Sequence, residues 1–249
     1  MTTSAGAPGE GRMRLRALAR AVPGSRGPCR VLEPRGAPHG LWVCPPSSGN
    51  LGLIVGSRAG LLHLGAWFRM AAISPRSLVH LPVGGARPEG IPWYGPPEGS
   101  ADLVIVRSDL GLRPSAWPGV RRRLPAGRPV TLRPPPPRDP ADGRPGPPHG
   151  GLALAEPGRA LLVSGPAALL LHTGDVISAA GEWIASDRDV HRHGWSLVDS
   201  LTGLLRDGGP APRHPELDVV GADPLFHKSL RRKRAHARGA LTSADRRAG

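Results

Sequence analysis

The chain has 249 residues, 35 of them glycine and 31 proline, with a formal net charge of +14. The length suits one sizeable domain or two small ones; glycine and proline concentrate in the first thirty or so residues, in 134–150 and after Asp207, leaving a remainder able to bury a core. Lys228 and Lys233 are the only lysines, so the charge is arginine charge; it reflects either GC-rich coding or a phosphate-bearing partner such as nucleic acid, acidic lipid or a nucleotide.

In chain order, residues 1–27 are short of apolar side chains and are expected to be unfolded, with at most a helical turn or so in 14–22. The folded domain is expected over 30–207. Leu41-Trp42-Val43-Cys44 reads as a strand stopped by Pro45-Pro46. Ser47-Ser48-Gly49-Asn50 can cap a helix, since short side-chain oxygens accept first-turn amides. The pattern predicts that helix over 53–72, supplying the crossover to the next strand; the alternative is a strand at 51–55 with a turn at 56–60. Then come short apolar runs at 78–83 and 102–106, a helix at 114–124 and a strand at 129–132. This order is how a buried parallel sheet appears in sequence, and the four strands are expected in one sheet. Residues 84–99, with Trp93 and Tyr94, read as a surface loop, and 134–150 as an extended proline-rich loop or linker. Residues 152–155 and 160–163 flank Pro157-Gly158 as a hairpin. A helix opens at Gly165-Pro166, with Leu169, Thr173, Val176, Ile177, Ala180, Trp183 and Ile184 on one face and Asp175, Ser178 and Glu182 on the other. A further helix is expected over 194–206. Residues 208–249, which include Arg231-Arg232-Lys233-Arg234, read as a disordered basic tail. The fold class is α/β: a single domain with a mostly parallel sheet, flanking helices and flexible basic termini.

Ligands of open α/β sheets bind beyond the carboxyl ends of the strands. Those ends offer Ser47, Ser48 and Asn50 at an expected helix N-terminus, and Arg107, Ser108 and Asp109 after the 102–106 strand. These six residues form the candidate site for a small anion. The segment matches neither the phosphate-loop nor the dinucleotide motif, so no cofactor is assigned. Ser108 lacks the elbow of a hydrolase nucleophile. Asp187, Asp189, His191 and His193 have metal-like spacing, but one helix face offers only one pair of them, and zinc needs three or four ligands. His80 and His172 read as hydrogen-bonded core or boundary histidines. Cys29 and Cys44 show no metal spacing, and a disulfide between them is not implied. The apolar stretch 152–171 is broken by Glu156, Pro157, Arg159 and Pro166, short of the roughly 20 residues that span a bilayer. With no signal-peptide pattern, the expectation is a soluble cytoplasmic protein.

Within 77–133, Leu78-Val79-His80-Leu81-Pro82-Val83, Ala101-Asp102-Leu103-Val104-Ile105-Val106, Pro114-Ser115-Ala116-Trp117 and the run Arg121 to Leu124 resemble a family of actinobacterial proteins with no assigned activity. The resemblance covers about a quarter of the chain and implies a real α/β domain, with no site to carry over. The expected function is a binding or interaction module for an anionic or nucleotide-like ligand or a protein partner. The alternatives are an enzyme with a non-standard site at the strand ends, and weak, sequence-independent nucleic-acid association through the basic tails.

Overall fold

A computed structural model describes residues 13–24, 27–36, 40–46, 51–83, 100–138, 150–205, 216–226 and 228–229. Its strands are β1 (Leu15–Gly24), β2 (Gly27–Pro34), β3 (Leu41–Cys44), β4 (Leu51–Gly56), β5 (Ser77–Leu81), β6 (Asp102–Arg107), β7 (Arg128–Leu132), β8 (Ala153–Ala155), β9 (Ala160–Gly165), β10 (Trp195–Ser200) and β11 (Glu216–Ala222). Its helices are α1 (Arg58–Ile73), α2 (Trp117–Arg122), α3 (Ala167–Trp183) and α4 (Arg188–His193). The strands form two sheets, a seven-stranded one in the order β7-β1-β2-β5-β6-β9-β8 and a four-stranded one in the order β10-β11-β4-β3.

One continuous core joins the inner faces of both sheets to α1 and α3. Leu15, Leu32, Val79, Leu103, Ile105 and Leu161 face it from the larger sheet, and Val43, Ile54, Leu217 and Val219 from the smaller. A helix that is apolar nearly all round belongs in an interior, and α1 buries residues on every side, from Leu61 and Leu64 to Phe68 and Ala72. The helix pair is close because Gly65 of α1 and Gly174 and Gly181 of α3 stand at the contact: a Cβ on Gly65 meets the Gly174 carbonyl at 2.5 Å. Arg69 crosses this contact, only 2% exposed, and donates from Nη1 to the Gly174 carbonyl (2.9 Å) and to Ser178 Oγ (2.7 Å). Its Nε donates to the Pro135 carbonyl at 2.9 Å, and the Asp175 carboxylate lies 3.7 Å from Nη1. Burial pulls the Arg69 guanidinium below its ordinary pKa, and the Asp175 charge opposes that pull.

Several expectations are corrected. The sheets are mixed, with β2–β5, β6–β9 and β4–β11 parallel and the other described pairings antiparallel. Of the four strands expected together, β5, β6 and β7 share the larger sheet, but β3 lies in the smaller one. The expected 53–72 helix is two elements: β4, lying between β3 and β11, precedes a helix that begins only at Arg58. The β-branched pair Ile54-Val55 favours the strand, and the helix then carries the chain from one sheet to the other. The expected 194–206 helix is β10 and a short 3₁₀ turn, because pairing with β11 overrides the helical spacing of its apolar residues. β1 occupies 15–24 and β11 occupies 216–222, both in segments read as unfolded, so the domain boundary of 30–207 is too narrow at each end. Leu15 and Ala17 point inward while Arg14 and Arg16 are exposed, a period-two pattern that the local composition hid. Asp175 and Ser178, expected on a solvated face of α3, are buried against α1, and only Glu182 of that trio reaches the surface, where it pairs with Arg58.

Other readings fit the structure. β8 and β9 form the hairpin at Pro157-Gly158, with Gly158 at φ 69, a left-handed conformation that glycine adopts without strain. The 114–124 helix is present as a 3₁₀ turn followed by α2. Cys29 and Cys44 are buried and lie in different sheets. The proline-rich stretch is described only to Arg138, where it is held by Arg69 and by Asp175, whose Oδ1 accepts from the Arg138 amide at 3.3 Å. The Trp93 and Tyr94 loop and the 231–234 cluster lie outside the described residues. Among the described residues, no helix is long and apolar enough to cross a membrane.

Candidate anion-binding cleft

Of the six residues singled out as a strand-end site, Ser47, Ser48 and Asn50 lie outside the described residues. The N-terminus of α1 is capped elsewhere: Ser57 Oγ accepts from the Gly60 amide at 3.1 Å. Arg107 ends β6, and Ser108 and Asp109 follow in an exposed 3₁₀ turn. The structure brings Arg107 and Asp109 together as a forked ion pair. Nε donates to Asp109 Oδ1 at 2.9 Å, a second nitrogen to Oδ2, and Nη1 to the Ala72 carbonyl at 3.1 Å. A carboxylate therefore already fills the fork an anion needs.

A second set of polar groups lies on the outer face of the larger sheet. Alternation along each strand puts Arg20, Glu33, His80 and Asp102 on the same side as Val22, Val31, Leu78 and Val104. The four link in series. Arg20 Nη2 donates to Glu33 Oε1 at 3.2 Å, and Arg20 Nη1 to the Pro125 carbonyl at 2.6 Å. His80, 4% exposed, faces Glu33 Oε2 with Nδ1 and Asp102 Oδ2 with Nε2, both at 3.2 Å. Each ring nitrogen faces a carboxylate oxygen, so the imidazole is clamped between Glu33 and Asp102. The role of His80 is to hold Asp102, and Asp102 in turn holds Arg121, whose Nη2 lies 2.7 Å from Oδ2.

Arg121 belongs to α2, which covers this face. Trp117 opens α2 and is fully buried, its ring meeting His80 edge-on with centroids 5.0 Å apart. Beside it is a cleft of about 380 Å³ lined by Trp117, Pro118, Arg121, Arg122, Pro157, Gly158 and Arg159. Arg122 donates only to the Pro118 carbonyl of its own helix, at 3.4 Å, and the Arg159 side chain has no hydrogen bond or ion pair among the described residues. Trp117 Nε1, a donor only, is buried without a partner among the described residues. The cleft thus gathers one guanidinium fixed by a carboxylate and two with no carboxylate partner among the described residues.

Sequence reading placed Arg121 and Arg122 within the 114–124 helix and read His80 as a core or boundary histidine. It missed Glu33 and Asp102, although each is a lone carboxylate beside an otherwise apolar strand. Elsewhere, the Asp187–His193 segment behaves as an ordinary helix: Asp187 Oδ1 accepts from the Asp189 amide at 2.8 Å, capping α4, and His191 faces Asp223. No group of three metal-binding side chains is present among the described residues. Comparison with protein-family models, with curated proteins and with solved structures finds no match, so the actinobacterial resemblance gains no support from them.

Proposed function

We propose that this chain is an α/β binding module for an anionic or nucleotide-like ligand, held in the cleft beside α2. The observation that carries the reading is the convergence of Arg122 and Arg159, neither with a carboxylate partner among the described residues, on a concave site whose third arginine is anchored by Asp102. A volume of about 380 Å³ falls at the small end of ligand pockets, roughly 300–1,000 Å³. Guanidinium forks match phosphate and carboxylate oxygens, and the Asp102–His80–Glu33 series fixes one of them before the ligand arrives, which lowers the ordering cost of binding. A net charge of +14 raises the encounter rate with any anion. Binding is favoured over catalysis because His80, the ionisable ring nearest the cleft, has both nitrogens engaged.

Isothermal titration against inorganic phosphate, pyrophosphate, a nucleoside monophosphate and citrate tests the reading. The wild type is expected to bind at least one of them, and Arg122→Ala/Arg159→Ala to bind it at least about tenfold more weakly, since each charged hydrogen bond contributes roughly 1.5–3 kcal/mol. Arg107→Ala should bind like the wild type. Loss of binding in Arg107→Ala with retention in the double variant returns the site to the end of β6. No binding by the wild type refutes the anion reading.

A further inference from the structure

On the other side of α2 lies a second cavity, of about 250 Å³. Its floor is Val22, Cys29 and Leu78, contributed by the neighbouring strands β1, β2 and β5. Its walls are Leu110 and Leu112 from the segment after β6, and Val120 of α2; these three side chains remain half-buried. Gly111, at φ 70, turns the segment so that both leucines line the same hollow. Arg113 lines the cavity too and is exposed, so it stands at the rim, and its side chain has no hydrogen bond or ion pair among the described residues.

We propose that this cavity binds a small straight-chain monocarboxylate, its hydrocarbon tail between Leu78, Leu110, Leu112 and Val120 and its carboxylate on Arg113. The size follows from a simple scale. An apolar protein cavity of about 150 Å³ takes benzene, so 250 Å³ holds a tail of at most about ten carbons by proportion. The charge follows from the rim, where one unpaired guanidinium matches one carboxylate bidentately. The interior adds no competing charge, since burial raises the pKa of the Cys29 thiol and keeps it neutral. This site is independent of the cleft at Arg122 and Arg159, from which it shares no lining residue.

The test is a chain-length series, butanoate, hexanoate, octanoate and decanoate, with octan-1-ol as the uncharged control, read by isothermal titration. Affinity is expected to rise about fourfold per added methylene until the cavity is full, because each buried methylene contributes about 0.8 kcal/mol. Octan-1-ol should bind at least about tenfold more weakly than octanoate, and Arg113→Ala should bring octanoate down to the alcohol's affinity. Ala116→Phe places a ring over the mouth from an exposed position, where folding is not at stake, and should abolish the series. Arg122→Ala/Arg159→Ala should leave octanoate binding unchanged, so failure here and failure of the anion cleft are separable. Affinities independent of chain length, or equal for octanoate and octan-1-ol, overturn the proposal. So does an absence of carboxylate binding, or an Ala116→Phe variant that binds octanoate normally. A concentration-dependent dimer that Ala116→Phe dissociates, with no carboxylate bound by the wild type, identifies a second copy of the chain as the occupant instead.

Discussion

Replacing Gly174 by alanine tests whether the contact between α1 and α3 is as close as described. At an unhindered helix position this change stabilises by about 1 kcal/mol, because glycine loses more backbone entropy on folding. Here the added carbon meets the Gly65 carbonyl at 2.7 Å, Arg69 Cγ at 2.8 Å and the Arg69 amide at 3.1 Å. Two of those three atoms are backbone, so the relief available is for the helices to move apart. Such overpacking costs about 1–3 kcal/mol. The same movement draws the Gly174 carbonyl away from Arg69 Nη1, now 2.9 Å distant, and loses a charged hydrogen bond of roughly 1.5–3 kcal/mol. Set against the propensity gain, the net effect is about 1.5–5 kcal/mol of destabilisation. For a chain of this size that is a fall in Tm of at least about 3 °C. Urea denaturation followed by circular dichroism gives the free energy directly. Gly119→Ala in α2 is the internal control: the nearest atom to its Cβ is the mobile Arg123 Nη2 at 3.5 Å, so it should be neutral or stabilising by up to about 1 kcal/mol. A Gly174→Ala variant stabilised to the same degree as Gly119→Ala would refute the close packing.

Arg69→Met strands Asp175 in the interior and should cost about 3–5 kcal/mol in the same assay, whereas Arg69→Met/Asp175→Leu should recover most of that loss. Asp199 has its pKa raised, chiefly by burial, against the opposing Ser200 amide and the nearby His172. Its neutral form is therefore favoured on folding, and its contribution is lost as pH rises from the ordinary carboxylate range through the raised value. Asp199→Asn should raise Tm modestly at pH 7 and change nothing below the ordinary carboxylate pKa; equal effects at both pH values would contradict this. Truncation before Glu216 removes β11 from between β4 and β10 and should abolish cooperative thermal unfolding, an outcome checked by calorimetry.

Legibility in the sequence followed burial. β5, β6 and β9 are apolar runs buried on both faces, and most of the expected α3 stripe is buried, with Trp183 exposed instead, so local pattern served for these elements. β11 has the same quality, Leu217 to Ala222 being buried or nearly so, but it is seven residues long among prolines and arginines and composition averaged it away. β10 is only half-buried, and its Trp195 and Val198 stand three apart, a spacing that mimics a helix. The polar side of α3 was misplaced because its partner, Arg69, lies over a hundred residues earlier in the chain. The cleft was unreadable for the same reason. Arg159 sits in a hairpin turn, Arg121 on a helix and Asp102 at a strand start, and only the fold makes them neighbours.

The helix pair also sets a schedule for the newborn chain. α1 is too apolar to be at ease in water, and the surface that shields it includes α3. About 110 residues separate the end of α1 from the end of α3. At ribosomal speeds of about 5–20 residues per second, that gap lasts roughly 6 to 20 s. During that interval the face of α1 that α3 covers, at Leu61, Gly65 and Arg69, stands without its partner.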